Sequence, residues 1–509
     1  MNPSTTYFRQ ILLFAVLSTS IFLSGTTTSN TITQQPNSRP KQVDNTPLKL
    51  ETKHIVGGAH DGEPLQIGNY AVFENRHTLK GRIIHLDIVI LPAQPTNDNA
   101  KAPDPIFVLA GGPGQNATDI FTGFLNSPLR ANRDLVFISQ RGTGGDNALR
   151  CDLPGDDGNL QSYLEPLFVE STFRKCLAEL EKHADLTQYS TPDAMDDYND
   201  IRKALGYEKI NLMGGSYGTR AALIYMRRHP QTVRTAILNG VAPIEFINPL
   251  FHARGAQEAL DKIFNIIERD AIYQKAYPNL RNEFTTIMVR LINQPAQATV
   301  RHPATGENVK VKLTRSAFAE ALRVMMYYNN RDVPLLIHQA FNGDYDAFAQ
   351  RGIEGNRALR NALKMGMLLC VTCAEDVVKI TPEMIAKETA DTFLGDDRVR
   401  QQKAVCEFWP KSKLPENYNE PVRVNIPVLI LSGTLDPVTP PRWGTITAND
   451  LPLGLSVVVP GTHGVNGPCI QHIINQLLQS GTTTGIDTSC TQNLKMWRFT
   501  LPDDATRKE

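Results

Sequence analysis

The 509-residue chain has no excess charge of either sign, with Lys+Arg and Asp+Glu at 52 each. Without a net positive field, electrostatics gives no reason to expect nucleic acid or an anionic membrane surface as a partner. Past residue 25 no apolar run reaches the roughly 20 residues that a membrane-spanning helix needs. No internal repeat is evident. The glycine-rich turn at Gly111 lacks both phosphate-cradling patterns, G-x-x-x-x-G-K-S/T and G-x-G-x-x-G. Cys370-Val371-Thr372-Cys373 has the spacing of a redox or zinc site. It has neither a second C-x-x-C nor a close His pair, so no metal or other cofactor is expected.

Apolar residues make up 41% and charged residues 20%, the composition of an ordinary globular protein. The length exceeds one compact core and suits a large domain with a smaller one inserted. At the start, Arg9 precedes Ile11–Leu17, apolar character continues to Leu23, and Ser24, Gly25 and a Thr/Ser run follow. This order reads as a secretory signal over residues 1–25, with an uncleaved N-terminal anchor as the alternative. No Cys lies beside it to carry a lipid. Residues 26–50, rich in Thr, Ser, Asn, Gln and Pro, read as a solvated linker. The expectation is an exported protein, periplasmic or secreted, with no stable membrane insertion after signal cleavage. Export makes the seven Cys candidates for disulfides. Closeness in sequence favours Cys151 with Cys176 and Cys469 with Cys490. Cys373 with Cys406 then leaves Cys370 free, although sequence alone leaves the pairing open.

Short apolar, β-branched runs recur at 81–91, 106–109, 135–138, 210–213, 233–238, 428–431 and 455–459. A helical pattern at 194–205 separates two of them. Strands alternating with helices imply a mostly parallel sheet flanked by helices. From about 250 to 410 strand-like runs disappear and helical segments dominate, such as 256–267, 280–292 and 316–328. The expected division is a core over 51–245, a helical cap over 246–412, and the rest of the core with a C-terminal tail over 413–509.

Gly214-Gly215-Ser216-Tyr217-Gly218 is a G-x-S-x-G between a strand run and a helical one. A nucleophilic serine on such a strand-to-helix turn needs glycines around it, because side chains there would clash. Ala110-Gly111-Gly112-Pro113-Gly114 follows another strand, where main chain can approach a substrate closely. Acyl transfer needs N–H donors aimed at the developing oxyanion, and Gly112 and Tyr217 are the candidates. A serine also needs a base, and the base an orienting carboxylate. In the α/β-hydrolase fold these follow in the order Ser, Asp or Glu, His. Asp436 and His463 each come just after an apolar run, whereas His77, His85 and His183 precede the serine and His472 lies on a helical stretch. The sequon Asn116-Ala117-Thr118 falls in the proposed oxyanion loop, where a glycan would obstruct the site, so it reads as unglycosylated.

With these motifs the chain resembles the α/β-hydrolase peptidases that include proline iminopeptidase and the secreted tripeptidyl aminopeptidases. The resemblance rests on Gly111–Gly114, Gln140–Gly144, Gly214–Arg220, Gly433–Pro440 and Gly461–Gly464, with Phe73–Arg76 and Cys373–Glu375 in support. It spans about 70–475. Two positions depart from it: Ala110 stands where the family usually has His, and Ser139 where it often has Asp. The resemblance implies an α/β-hydrolase fold with an inserted helical cap, and release of residues or short peptides from a free N-terminus. A peptide α-ammonium group calls for a buried carboxylate, for which Glu375 is the first candidate and Glu74 the second. A carboxylesterase or lipase with the same triad is the rival enzyme. A binding protein that kept the fold would be expected to lack a triad residue, and none is missing.

Overall fold

The computed structural model describes residues 48–95, 100–153, 155, 157–328 and 330–502. The signal segment 1–25, and the linker up to residue 47, lie outside the described residues.

One nine-stranded sheet organises the molecule. In chain order its strands are β1 (Glu51–His54), β2 (Pro64–Asn75), β3 (Lys80–Leu91), β4 (Ile106–Leu109), β5 (Leu135–Ile138), β6 (Ile210–Gly215) and β7 (Val233–Asn239). A separate hairpin, β8 (Ala296–Arg301) and β9 (Asn308–Leu313), intervenes before β10 (Val428–Gly433) and β11 (Gly454–Val459). The spatial order is β1-β2-β3-β5-β4-β6-β7-β10-β11. Pairing is parallel from β5 through β11 and antiparallel among β1, β2, β3 and β5. This is the mostly parallel, helix-flanked sheet expected from the sequence.

The strands β4 and β5 are apolar throughout because both of their faces are covered. Alternate residues feed two separate cores: Phe107, Val136, Leu212 and Ile430 pack on one side, and Val108, Phe137, Ile237 and Leu431 on the other. The helices Thr191–Ala204 and Tyr217–Arg228 cover the first face, and Pro468–Ser480 covers the second.

The insertion is not one body. Helices from His252 to Ala362 build their own core around Phe264, Ile287, Phe318 and Phe348. The helix Met365–Glu375, with Cys406 and Trp409 beyond it, packs instead into the sheet's core. The tail joins the insertion, where Phe499 meets the Tyr273 ring at 5.6 Å. The β8–β9 hairpin corrects the expectation of no strands between 250 and 410. Its Ala-Gln-Ala-Thr-Val-Arg strand alternates small apolar with polar residues, too weak a pattern to stand out beside helices.

Disulfides join Cys151–Cys176, Cys373–Cys406 and Cys469–Cys490. Cys370 stays a buried thiol that accepts a hydrogen bond from Trp409 Nε1. Cys373 pairs with Cys406, so the two cysteines of the C-x-x-C are not bonded to each other. Among the described residues no helix is long and apolar enough to cross a membrane.

Candidate active site

Residues at the C-terminal ends of β4, β6, β7, β10 and β11 converge on one edge of the sheet, where parallel α/β sheets build their sites. Ser216 lies between β6 and the helix Tyr217–Arg228, at φ 54° and ψ −124°. This conformation is rare for a non-glycine residue, and such strain concentrates at functional sites. Of the glycines around it, Gly214 and Gly218 are sterically required. A Cβ on Gly214 would sit 2.4 Å from Gly218 O, and one on Gly218 would sit 2.2 Å from Leu109 O.

The loops after β10 and β11 are drawn together because Gly433 carries no side chain; a Cβ there would fall 2.1 Å from Thr462 O. Asp436 and His463 meet as a result, with Nδ1 2.9 Å from Oδ2 and 3.1 Å from Oδ1. Asp436 is buried and also accepts from Val438 N–H, Thr439 N–H and the Thr439 hydroxyl, each at 2.8 Å. Burial alone would raise its pKa. The adjacent His463 charge and these hydrogen bonds outweigh that and hold the carboxyl below its ordinary range. An ionised carboxylate only accepts, so Nδ1–H is the donor; in the neutral imidazole Nε2 then keeps the lone pair that a base needs.

Asn239, at the end of β7, ties serine and histidine together. Its carbonyl accepts the Ser216 N–H at 3.0 Å, and its side-chain amide exchanges two bonds with Val465, just past His463. Gly240 then lies against the imidazole, and a Cβ there would come within 3.2 Å of Cε1. Among the described residues no direct hydrogen bond links Ser216 Oγ to His463. Such bonds often tighten only once substrate is bound.

The turn after β4 packs onto the serine, since a Cβ on Gly111 would approach Ser216 Cβ to 3.3 Å. Gly112 adopts φ 108°. Among the described residues neither its N–H nor that of Tyr217 donates to a protein acceptor. Lys364 braces this turn, its N–H donating to Gly114 O at 2.9 Å and its Nζ pairing with Asp119 at 2.9 Å. The Asn116 amide is buried and spends its N–H donors on Thr118 and Asp119. An open cavity of about 640 Å³, lined by Arg82, His85, Asp87, Asp146 and Tyr189 among others, lies apart from this constellation.

Residues 104–465 match the family model described as alpha/beta hydrolase fold. The chain belongs to the α/β-hydrolase fold family. It is similar to serine protease Hip1 of Mycobacterium tuberculosis, at 25% identity over 459 residues covering 81% of this chain and 84% of Hip1. Tripeptidyl aminopeptidase of Streptomyces lividans is 24% identical over 433 residues, 75% of each chain. Proline iminopeptidase of Xylella fastidiosa is 28% identical over 137 residues, 27% of this chain and 32% of that one. The family and these relatives make the chain a hydrolase.

Two carboxylates expected at the substrate end of this hydrolase do not reach it. Glu375 is buried, with its oxygens taken by Thr191 N–H at 2.7 Å, the Thr191 hydroxyl at 2.8 Å and the Tyr418 hydroxyl. Thr191 also bonds the Tyr217 hydroxyl at 2.7 Å, so Glu375 braces the helix behind the serine. Glu74 accepts from Asp185 N–H and the Tyr189 hydroxyl, and meets Arg82 at 3.5 Å. Arg141 binds the Glu74 backbone carbonyl and Asp197, not the Glu74 carboxylate. Both carboxylates are buried and held by protein donors. Sequence reasoning also missed Asn239, Gly240, Lys364 and Tyr327. The Tyr327 carbonyl accepts the His463 N–H at 3.3 Å, and its ring meets the imidazole edge-on at 5.4 Å.

Proposed function

We propose that this hydrolase is an exported serine peptidase that removes residues or short peptides from the free N-terminus of peptides through an acyl-enzyme. The observation carrying the reading is the buried, ionised Asp436 that orients His463 on the sheet edge that also carries Ser216 on a strained turn. Ser216 Oγ attacks the scissile carbonyl while His463 Nε2 takes its proton, and the oxyanion meets the N–H groups of Gly112 and Tyr217. The amine then leaves with the proton from Nε2. Water repeats the sequence on the ester, which regenerates the serine. The names of the relatives support a peptidase, and three disulfides support passage through an oxidising compartment.

The test compares an aminoacyl-arylamide, its N-acetylated twin and a simple arylester. The free-amine amide should surpass the blocked twin in kcat/KM by about tenfold or more, the value of a hydrogen bond to a charged group. Cleavage of the arylester alone would instead favour the carboxylesterase reading, with the same triad.

A further inference from the structure

Beside the imidazole, helices of the insertion gather a charged cluster outside the triad. On the helix Arg315–Tyr328, Glu320, Arg323 and Tyr327 share one face through their three- and four-residue spacings. The Tyr327 hydroxyl accepts from Arg323 Nη1 at 2.5 Å. Arg323 grips Glu320 with Nε at 2.9 Å and with a second, shorter bond from Nη2. Burial would raise the Glu320 carboxyl, but Arg323 and Arg398 hold it down to about 2.

Arg398, from the helix Asp397–Phe408, is the unsatisfied member. It approaches Glu320 only to 3.7 Å and lies over the Phe168 ring at 4.4 Å. Its side chain is 16% exposed, yet among the described residues it makes no hydrogen bond, and its Nε is closed off without a partner. A guanidinium has five N–H donors, and buried donors are almost always satisfied. Burial, opposed by Glu320, leaves Arg398 lowered to about 10, a cation short of counter-charge. Two guanidinium groups against one carboxylate leave a single surplus positive charge. Burial keeps His252 neutral, so it adds no charge to the cluster.

We propose that Arg398 forms a substrate subsite that binds one carboxylate through paired N–H donors. This inference rests on the Ser216-centred reading of the reaction. One surplus charge suits a monoanion better than a phosphate dianion. Glu320, already engaged by Arg323, orients Arg398 without satisfying its donors. Glu320 precedes Tyr327 by seven residues, about 10 Å along the helix axis. An extended peptide covers that distance in about three residues. Taking that span as the scale, the proposed carboxylate lies about three residues from the cleaved bond, on an acidic side chain or at a free C-terminus. An α-ammonium group would be repelled there, so ammonium recognition lies elsewhere.

Two peptide pairs cleaved at a common bond test this: Glu against Gln about three residues away, and a free C-terminus against its carboxamide. Wild type should favour the carboxylate in one pair by at least about tenfold in kcat/KM, the value of a hydrogen bond to a charged group. That pair identifies the source. Arg398→Gln should lower kcat/KM on the favoured carboxylate at least about tenfold more than on its amide twin, whereas Arg398→Lys, a point charge without the fork, should keep part of the preference. Equal rates within both pairs, or a preference surviving in R398Q, would overturn the subsite. If R398Q fails to fold, the R398K comparison and competition of glutarate against glutaramide on wild type give the same decision. Should no peptide be cleaved, the peptidase reading fails by itself. The pairs are then replaced by aryl esters of decanedioate and of its monoamide, whose far end lies about 10 Å from the ester carbonyl, judged by the same outcomes.

Discussion

Replacing Ser216 with alanine is expected to lower kcat by about a million-fold, while the protein stays folded. The change removes only the hydroxyl oxygen, and no other fold contact depends on that atom among the described residues. The turn itself is held by backbone: Ser216 N–H to Asn239 O, and Ser216 O to the Thr219 N–H and hydroxyl. Residual catalysis of about 10³–10⁴ over water would persist from the oxyanion donors and substrate binding. Progress curves for an activated ester, with circular dichroism of both proteins, check the two halves of this expectation. S216A with near-wild-type turnover would place the nucleophile elsewhere.

Asp436→Asn should cost about 10⁴-fold in kcat with little change in fold. Four donors converge on this carboxylate: two backbone N–H groups, the Thr439 hydroxyl and His463 Nδ1. An amide of the same shape must turn an NH₂ toward one of them. If it faces the imidazole, Nδ1 becomes the acceptor and the proton moves to Nε2, where the ring can no longer take the serine proton. Because burial is outweighed by the His463 charge and the hydrogen bonds, the carboxylate remains ionised through the neutral range. Steady-state kinetics of D436N should show the loss in kcat with KM nearly unchanged. A drop of only a few-fold would mean that the imidazole is oriented by another group.

The parallel core was legible because β4, β5 and β10 are buried on both faces and read as unbroken apolar runs. The β8–β9 hairpin and the first two strands, β1 and β2, left no such mark. At the site, Ser216, Asp436 and His463 lie after such runs, so motif and order were enough to bring them into consideration. Glu375 was misread for a physical reason. A carboxylate in an apolar stretch announces that something must satisfy it, but the partner, Thr191, is 184 residues away in sequence. Asn239 was missed in the same way: an unremarkable strand end becomes the tie between serine and histidine only when β7 lies between β6 and β10.

The central claim is that Ser216 is the activated nucleophile. Incubating the folded, purified protein with a fluorophosphonate probe and mapping the adduct by peptide mass spectrometry tests it most directly. One stoichiometric adduct is expected on Ser216, lost in S216A and strongly slowed in a His463→Ala variant. No adduct, or an adduct on any other residue, would contradict it.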